Sequence, residues 1–319
     1  MRRSVVLSTG AYLPQRVVTN HELATQIDTS DEWIVERTGI RQRHLAANDE
    51  LTSDLAFHAA ADAIARAGID AQSVDLVVVA TATPDDTLPA TATKVQHKLG
   101  IKHGAAFDLN AACSGFVYAL SVVDAMLKTG QANRALVIGA EIFSRIIDWK
   151  DRTTCILFGD GAAAMLLEAR EENHRGILAS RIYSDGAFGS MLATNGGVAS
   201  NQKAGVLSMA GKEVFRHAVS KMPEATLASL ADAGLTTADI DWVVPHQANL
   251  RILASVGEKL GLPSEKLIAT VPQHANTSAA SIPLALHVAA TDGRLKPGQL
   301  IACPAMGAGF TWGCALLRW

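Results

Sequence analysis

Ala67-Gly68-Ile69-Asp70-Ala71-Gln72-Ser73-Val74-Asp75-Leu76-Val77-Val78-Val79 is answered by Ala233-Gly234-Leu235-Thr236-Thr237-Ala238-Asp239-Ile240-Asp241-Trp242-Val243-Val244-Pro245. The two stretches align without a gap at an offset of 166 residues (67 to 233). Further matches follow in the same order with a drifting offset: Leu99-Gly100-Ile101 with Leu260-Gly261-Leu262, Gly130 with Gly293, and Gly161–Ala164 with Gly313–Leu316. An ordered series at a long period marks a duplicated unit. Two unrelated α/β domains are the alternative.

Working outward, the repeat predicts strands at Val74–Ala80, Ala135–Gly139 and Ala163–Leu167, with partners at Ile240–Pro245, Leu300–Cys303 and Cys314–Leu317. Each is an apolar run of strand length bounded by turn or helix signals. Helical patterns fall between them at Leu55–Ala67, Ala92–Leu99, Gly115–Lys128, Gly211–Ala233, Leu250–Leu260 and Thr277–Thr291. Alternating strands and helices imply βαβ crossovers, hence an α/β fold with a mostly parallel sheet. The charged stretch Ala169–Gly176 separates the halves, giving domains 1–172 and 173–319. The glycine-rich stretch Asp185–Gly205 reads either as a functional loop or as a linker.

Hydrophobic residues make up 49% of the 319 and charged residues 18%, so sheets buried on both faces are expected. A net charge of −3 gives no signal for nucleic acid or a membrane surface. No run reaches the ~18 apolar residues of a membrane span, and the N-terminal apolar stretch is too short for a signal-peptide core. These features point to a cytoplasmic protein. The four cysteines, Cys113, Cys155, Cys303 and Cys314, form no C-x-x-C pair, so neither a zinc nor a redox-pair site is expected.

Cys113, in Asn110-Ala111-Ala112-Cys113-Ser114-Gly115, precedes an apolar helical pattern. A thiol at a helix start is favoured as thiolate, the nucleophilic form, although free cysteine is commonly inert core. The other three cysteines read as core. His246 ends a repeat strand in Pro245-His246-Gln247-Ala248-Asn249, where α/β folds place ligand sites, although a lone histidine is often structural. Asn276 enters the helix at Thr277 and could simply cap it. Cys113 and Asn276 hold roughly equivalent places in the two halves, so a two-fold arrangement would bring both helix starts to one site. Gly307-Ala308-Gly309-Phe310-Thr311-Trp312-Gly313 lacks dinucleotide spacing and reads as a hairpin or as backbone brought close to an oxyanion.

Together with Asp28–Ile34, Arg37-Thr38-Gly39-Ile40, Ala111–Phe116, Phe158–Ala162, Val244–Asn249, Asn276–Ser281 and Gly309–Gly313, these residues resemble the β-ketoacyl-acyl carrier protein synthase III family, over essentially the whole chain. The resemblance implies a thiolase-like αβαβα five-layered sandwich of two duplicated halves, normally a homodimer. It implies a catalytic triad of Cys113, His246 and Asn276, with the N–H groups of Cys113 and Ala308 as oxyanion donors. Thr29, Trp33, Arg37 and Arg152 match coenzyme A positions, and Gly211, Phe215 and Asn249 match the pantetheine tunnel. Arg216 and Arg251 match positions that meet acyl carrier protein, whereas Glu258 stands where a basic residue is common. Leu88 matches a loop position that closes the partner's acyl pocket. The implied reaction is decarboxylative condensation of a short acyl-CoA with malonyl-acyl carrier protein, with no metal and no cofactor beyond the coenzyme A thioester. A relative that loads another acyl group in secondary metabolism, a plain acyltransferase and a non-catalytic acyl-CoA binder are the alternatives.

Overall fold

The computed structural model describes residues 2–171 and 173–319. The expected break between halves falls at Glu172, outside the described residues.

The first sheet is built from β1 (Arg2–Tyr12), β2 (Leu76–Ala80), β3 (Ala105–Leu109), β4 (Arg134–Ile142) and β5 (Asp160–Glu171), in the order β1-β5-β4-β2-β3. The second uses β6 (Gly176–Ser184), β7 (Trp242–Val243), β8 (Leu300–Gly307) and β9 (Thr311–Arg318), in the order β7-β8-β9-β6. The expected mostly parallel sheet is mixed in both halves: β2 pairs in parallel with β3 and β4, and β7 with β8, whereas β1–β5, β5–β4, β8–β9 and β9–β6 are antiparallel. Leu76 pairs Ala135 and Trp242 pairs Ile301, so the offset of 166 holds in the register itself. The counterpart of β3 shrinks to a parallel bridge between Val243 and Leu267.

The helices used below are α1 (Thr52–Ala67), α2 (Thr91–Lys98), α3 (Gly115–Lys128), α4 (Gly211–Ala233), α5 (Leu250–Lys259) and α6 (Ser281–Thr291). Strand alternation sorts them into layers. Leu76, Val78 and Ala80 join a central core with α3, α6 and the inner face of the second sheet, including Ile301, Cys303, Ala305, Ala315 and Leu317. Val77 and Val79 face outward, under α1 and α2. Leu300, Ala302, Cys314 and Leu316 face the opposite way, under α4 and α5. The five layers run helices, sheet, helices, sheet, helices, and the central strands of both sheets are buried on both faces as the composition implied.

The repeated glycines end helices. Gly68 and Gly234 follow α1 and α4 with φ of 64° and 67°, a left-handed conformation that costs a residue with a Cβ.

Several boundaries move. The predicted strand Ile240–Pro245 keeps only Trp242–Val243 as ladder, because Pro245 has no N–H to offer. Its backbone still follows β8: Val244 N–H donates to Ala302 O at 2.8 Å and His246 N–H to Pro304 O at 2.9 Å. β1, β3 and β6 escape the apolar-run criterion, having partly polar or exposed residues. Thr277–Thr291 splits into a 3-10 turn, Ser278–Ala280, and α6. Asp185–Gly205 holds a 3-10 turn and the strand Leu192–Thr194, which pairs with Leu207–Met209. No helix among the described residues is long and apolar enough to cross a membrane.

Candidate active site

Each half places a 3-10 turn before its central helix: Ala112–Ser114 before α3 and Ser278–Ala280 before α6. Ala112 and Ser278 both take positive φ, 47° and 50°, and they too lie 166 apart (112 to 278). Each turn is pinned by an asparagine two residues upstream. Asn110 Oδ1 accepts from Ala112 N–H at 3.1 Å, and Asn276 Oδ1 accepts from Ser278 N–H at 2.9 Å. This corrects the rough equivalence of Cys113 with Asn276. The counterpart of Cys113 is Ala279, and that of Asn276 is Asn110. The two turns nevertheless meet: a Cβ on Gly115 would lie 3.4 Å from Ala279 Cβ.

Cys113, His246 and Asn276 are all buried and line one cavity of about 110 Å³. Gly211, Phe215 and Asn249 line it too, with apolar Leu157, Leu192, Met209, Val214 and Met306. Sequence reasoning missed these apolar residues, which carry no motif.

Two polar groups have their acceptor atoms engaged on the protein side. Asn276 Oδ1 is held by Ser278 N–H, leaving the amide N–H₂ for the cavity. His246 Nδ1 lies 2.7 Å from Ser281 Oγ, which already accepts from Gln247 N–H at 3.2 Å. The Ser281 proton is then free to donate to Nδ1, so the ring carries its own proton on Nε2. Burial holds the His246 pKa down to about 3, so the ring is neutral at physiological pH. Ser281 belongs to the Asn276–Ser281 motif, yet a serine at a helix start reads first as a cap.

Burial pushes the Cys113 thiol up to about 12, against the Ser278 hydroxyl and its own N–H, while the Glu141 charge raises it further. The expected bias toward thiolate is therefore outweighed in the free protein. The Gly307–Gly313 segment is a hairpin, and its backbone comes close to the nucleophile turn. A Cβ on Gly307 would lie 2.7 Å from Cys113 N. Thr311 Oγ1 donates within this region to Ala111 O at 2.9 Å, and Ser114 Oγ donates to Thr311 O at 2.8 Å, tying the hairpin to the nucleophile turn. Cys155, Cys303 and Cys314 are fully buried core, although Cys155 lies in a turn and not in a strand.

Trp33 stands on the helix Asp31–Thr38, which Ser30 caps at Trp33 N (3.1 Å) and Gly39 ends at φ 75°. The Arg37 guanidinium lies 4.3 Å from the Trp33 ring centroid and that of Arg152 5.2 Å. Arg152 also donates to Asp28 O at 2.9 Å. A gap of 5.2 Å is too narrow to seat a purine between Arg152 and Trp33, so Arg152 must swing outward to admit one. Thr29 Oγ1 is buried without a partner among the described residues. Asn249 caps α5 through Arg251 N–H at 2.8 Å and donates to Arg37 O at 3.0 Å, joining the tunnel wall to this helix. Arg216, paired with Glu213, and Arg251, 5.9 Å from the Phe215 ring, are exposed beside cavity-lining Phe215, and Glu258 is exposed at the far end of α5. Leu88 lies apart from the cavity and is 84% exposed. No metal-ligand cluster occurs among the described residues.

Residues 107–186 match the family described as 3-oxoacyl-[acyl-carrier-protein (ACP)] synthase III, and residues 230–319 match its C-terminal part. The chain is 59% identical over 320 residues to the beta-ketoacyl-[acyl-carrier-protein] synthase III of Paramagnetospirillum magneticum, covering 99% of both chains. It is 59% identical to that of Rhizorhabdus wittichii over the full length of both. The crystal structure of 3-oxoacyl-[acyl-carrier-protein] synthase III from Aquifex aeolicus superimposes with a TM-score of 0.94 at 44% identity, covering 99% of this chain and 100% of that one. Sequence, thiolase-like sandwich and cavity agree: the chain belongs to the β-ketoacyl-[acyl-carrier-protein] synthase III family, acyltransferases that perform the initiating condensation of fatty acid synthesis.

Proposed function

We propose that Cys113 takes an acyl group from a short acyl-CoA and passes it to the carbanion of decarboxylated malonyl-acyl carrier protein. The observation that carries this reading is the single cavity gathering Cys113, His246 and Asn276 with Gly211, Phe215 and Asn249. In the first half-reaction the Cys113 sulfur attacks the thioester carbonyl, and the N–H groups of Cys113 and Ala308 hold the oxyanion. In the second, His246 Nε2–H and the Asn276 amide hold the malonyl thioester oxygen as carbon dioxide leaves. Both donors are neutral and pre-aimed, which suits a developing enolate. Each is worth about 3–4 kcal/mol of barrier by analogy with other oxyanion sites.

Thr29, Trp33, Arg37 and Arg152 bind the nucleotide end of coenzyme A, by stacking and phosphate contact. Pantetheine follows Gly211, Phe215 and Asn249 inward. Arg216 and Arg251 steer the acidic carrier protein to the mouth, an effect on encounter rate more than on affinity. The working form is a cytoplasmic homodimer in which Leu88 closes the partner's acyl pocket. Coenzyme A enters as substrate, and no other cofactor is used.

Half-reactions test these roles. Incubation with acetyl-CoA should place the added mass on Cys113; label on Cys155, Cys303 or Cys314 overturns the assignment. His246→Ala and Asn276→Ala should still load but lose carbon dioxide release from malonyl-acyl carrier protein.

A further inference from the structure

Glu141 is a fully buried carboxyl for which the two half-reactions above have no use. It lies on β4 two residues after Gly139, on the same face. A Cβ on Gly139 would sit 2.3 Å from Ala279 O, so this face of β4 looks onto the Ser278–Ala280 turn. Oε2 is fully engaged, accepting from Thr81 Oγ1 at 3.2 Å, Ala82 N–H at 3.0 Å and Thr83 Oγ1 at 2.8 Å. Oε1 is buried with no hydrogen-bond partner among the described residues, and so is Ser278 Oγ. The Ser278–Ala280 turn packs on both the nucleophile helix start, at Gly115, and this face of β4, at Gly139, and the Ser278 hydroxyl favours the charged forms of Cys113 and Glu141. Ser278 is itself held in place by the Asn276 Oδ1 bond to its N–H. A thiol, a hydroxyl and a carboxylate thus follow one another behind the nucleophile, away from the tunnel.

We propose that Glu141, acting through the Ser278 hydroxyl, receives the Cys113 proton as the sulfur is acylated and returns it when the sulfur leaves. The inference rests on the acyl-enzyme reading above. In loading, the Sγ–acyl bond forms and the bond from acyl carbon to coenzyme A sulfur breaks. The thiol proton moves to Ser278 Oγ while the Ser278 proton moves to Glu141 Oε1, and coenzyme A departs as thiolate. In condensation, the new carbon–carbon bond forms and the Sγ–acyl bond breaks. The Cys113 thiolate regains its proton from Ser278, and Ser278 from Glu141. No other reactant is needed, and each turnover restores the starting protonation.

Electrostatics favour one shared proton. A carboxylate beside a thiolate raises the cost of ionising both. Thr81, Ala82, Thr83, Ser278 and Ala279 bring hydroxyls and N–H groups to Glu141, Cys113 is the titratable group across Ser278, and the buried Asp160 carboxyl stands on the neighbouring β5 opposite Ile142. Burial raises the Glu141 carboxyl to about 7, so it can accept and release a proton near neutral pH.

The test is single-turnover loading from acetyl-CoA, read by mass spectrometry on the intact dimer between pH 6 and 9. The wild type should load faster as pH rises through about 7, where the carboxyl ionises. Glu141→Gln should lose that inflection and load at least tenfold more slowly at pH 7, within the usual range for a general base. Its rate should recover as pH rises toward the thiol's own higher pKa. Ser278→Ala, a smaller change that tests the path if Glu141→Gln does not fold, should behave alike, and the double variant should lose no more than either single. Loading within twofold of wild type in either folded variant overturns the relay. So does a fall in melting temperature and rate that leaves the pH profile in place, because that marks a structural role. Wild-type label away from Cys113 would instead overturn the acyl-enzyme reading itself.

Discussion

Ser281→Ala removes one oxygen from the His246 environment, and the structure says what that oxygen does. It accepts a hydrogen bond from Gln247 N–H and donates one to His246 Nδ1. Without it, a buried donor and a buried acceptor lose their partner together. Each such loss costs about 1–3 kcal/mol, part of it in folding stability. The part that reaches the transition state is the loss of tautomer and ring orientation. With Nδ1 unpartnered, the ring can carry its proton there and turn a lone pair, not an N–H, toward the enolate. An expected loss of about 1.4–2.8 kcal/mol corresponds to a 10- to 100-fold slower decarboxylation. Carbon dioxide release from malonyl-acyl carrier protein measures it directly, beside acetyl-CoA loading of Cys113. Loading should stay within twofold of wild type, and Ser281→Thr should restore part of the lost rate. Unchanged decarboxylation, or an equal fall in both half-reactions, would refute the tautomer argument.

Trp33→Ala should raise the apparent requirement for acyl-CoA while sparing malonyl-acyl carrier protein, whose prosthetic arm has no adenine to stack; equal losses toward both count against stacking. Leu88→Phe should narrow primer use toward acetyl-CoA, since each methylene in an apolar pocket is worth about 1–3 kcal/mol; an unchanged ratio of acetyl to butyryl use removes Leu88 from the acyl pocket. Burial, with His44 adding to it, lowers His274 to about 4 from the ordinary 6.5, so the folded state resists a proton that the unfolded chain accepts. Stability should therefore fall as pH drops below 6.5, at up to about 1.4 kcal/mol per pH unit for this one group until about pH 4. His274→Gln should shrink the difference in urea stability between pH 7 and pH 4.5 by about 2–3 kcal/mol; an unchanged difference places the acid sensitivity elsewhere.

The parts of the fold that were legible in the sequence are those where burial is two-sided and a glycine ends a helix. Leu76–Ala80 is apolar throughout because α3 covers one face and α1 the other. β1, β3 and β6 mix polar and exposed positions into their runs, and hydrophobicity alone does not expose them. At the site, Cys113, His246 and Asn276 sit in compact polar motifs at element ends. The apolar wall residues Leu192, Met209 and Val214 were not legible, because nothing local separates a tunnel wall from a core. Glu141 was hidden for a different reason: a glutamate inside an apolar strand acquires meaning only from the turn packed against it.

The duplication accounts for how one small cavity gathers Cys113 from the first half with His246 and Asn276 from the second. The pinned turn at Asn110–Ser114 recurs at Asn276–Ala280, down to the asparagine bond and the positive φ. In the first copy the turn carries a thiol at its second position, and its asparagine lies exposed. In the second copy that position is Ala279, too small to compete with the thiol, and the asparagine is buried in the cavity wall. Gly115 and Ser281 are counterparts too. Glycine lets the first helix approach Ala80 and Ala279, with 3.2 Å and 3.4 Å from its notional Cβ, whereas serine gives the second helix the hydroxyl that orients His246. Exchanging these roles fails on steric grounds before it fails on chemical ones. Gly115→Ser would put an oxygen beyond a Cβ that already meets both neighbours, and the first turn would have to move away from the second. Loading and decarboxylation should then decline together, a pattern distinct from the selective loss expected of Ser281→Ala. A Gly115→Ser enzyme that keeps wild-type loading would show that the two turns need not touch.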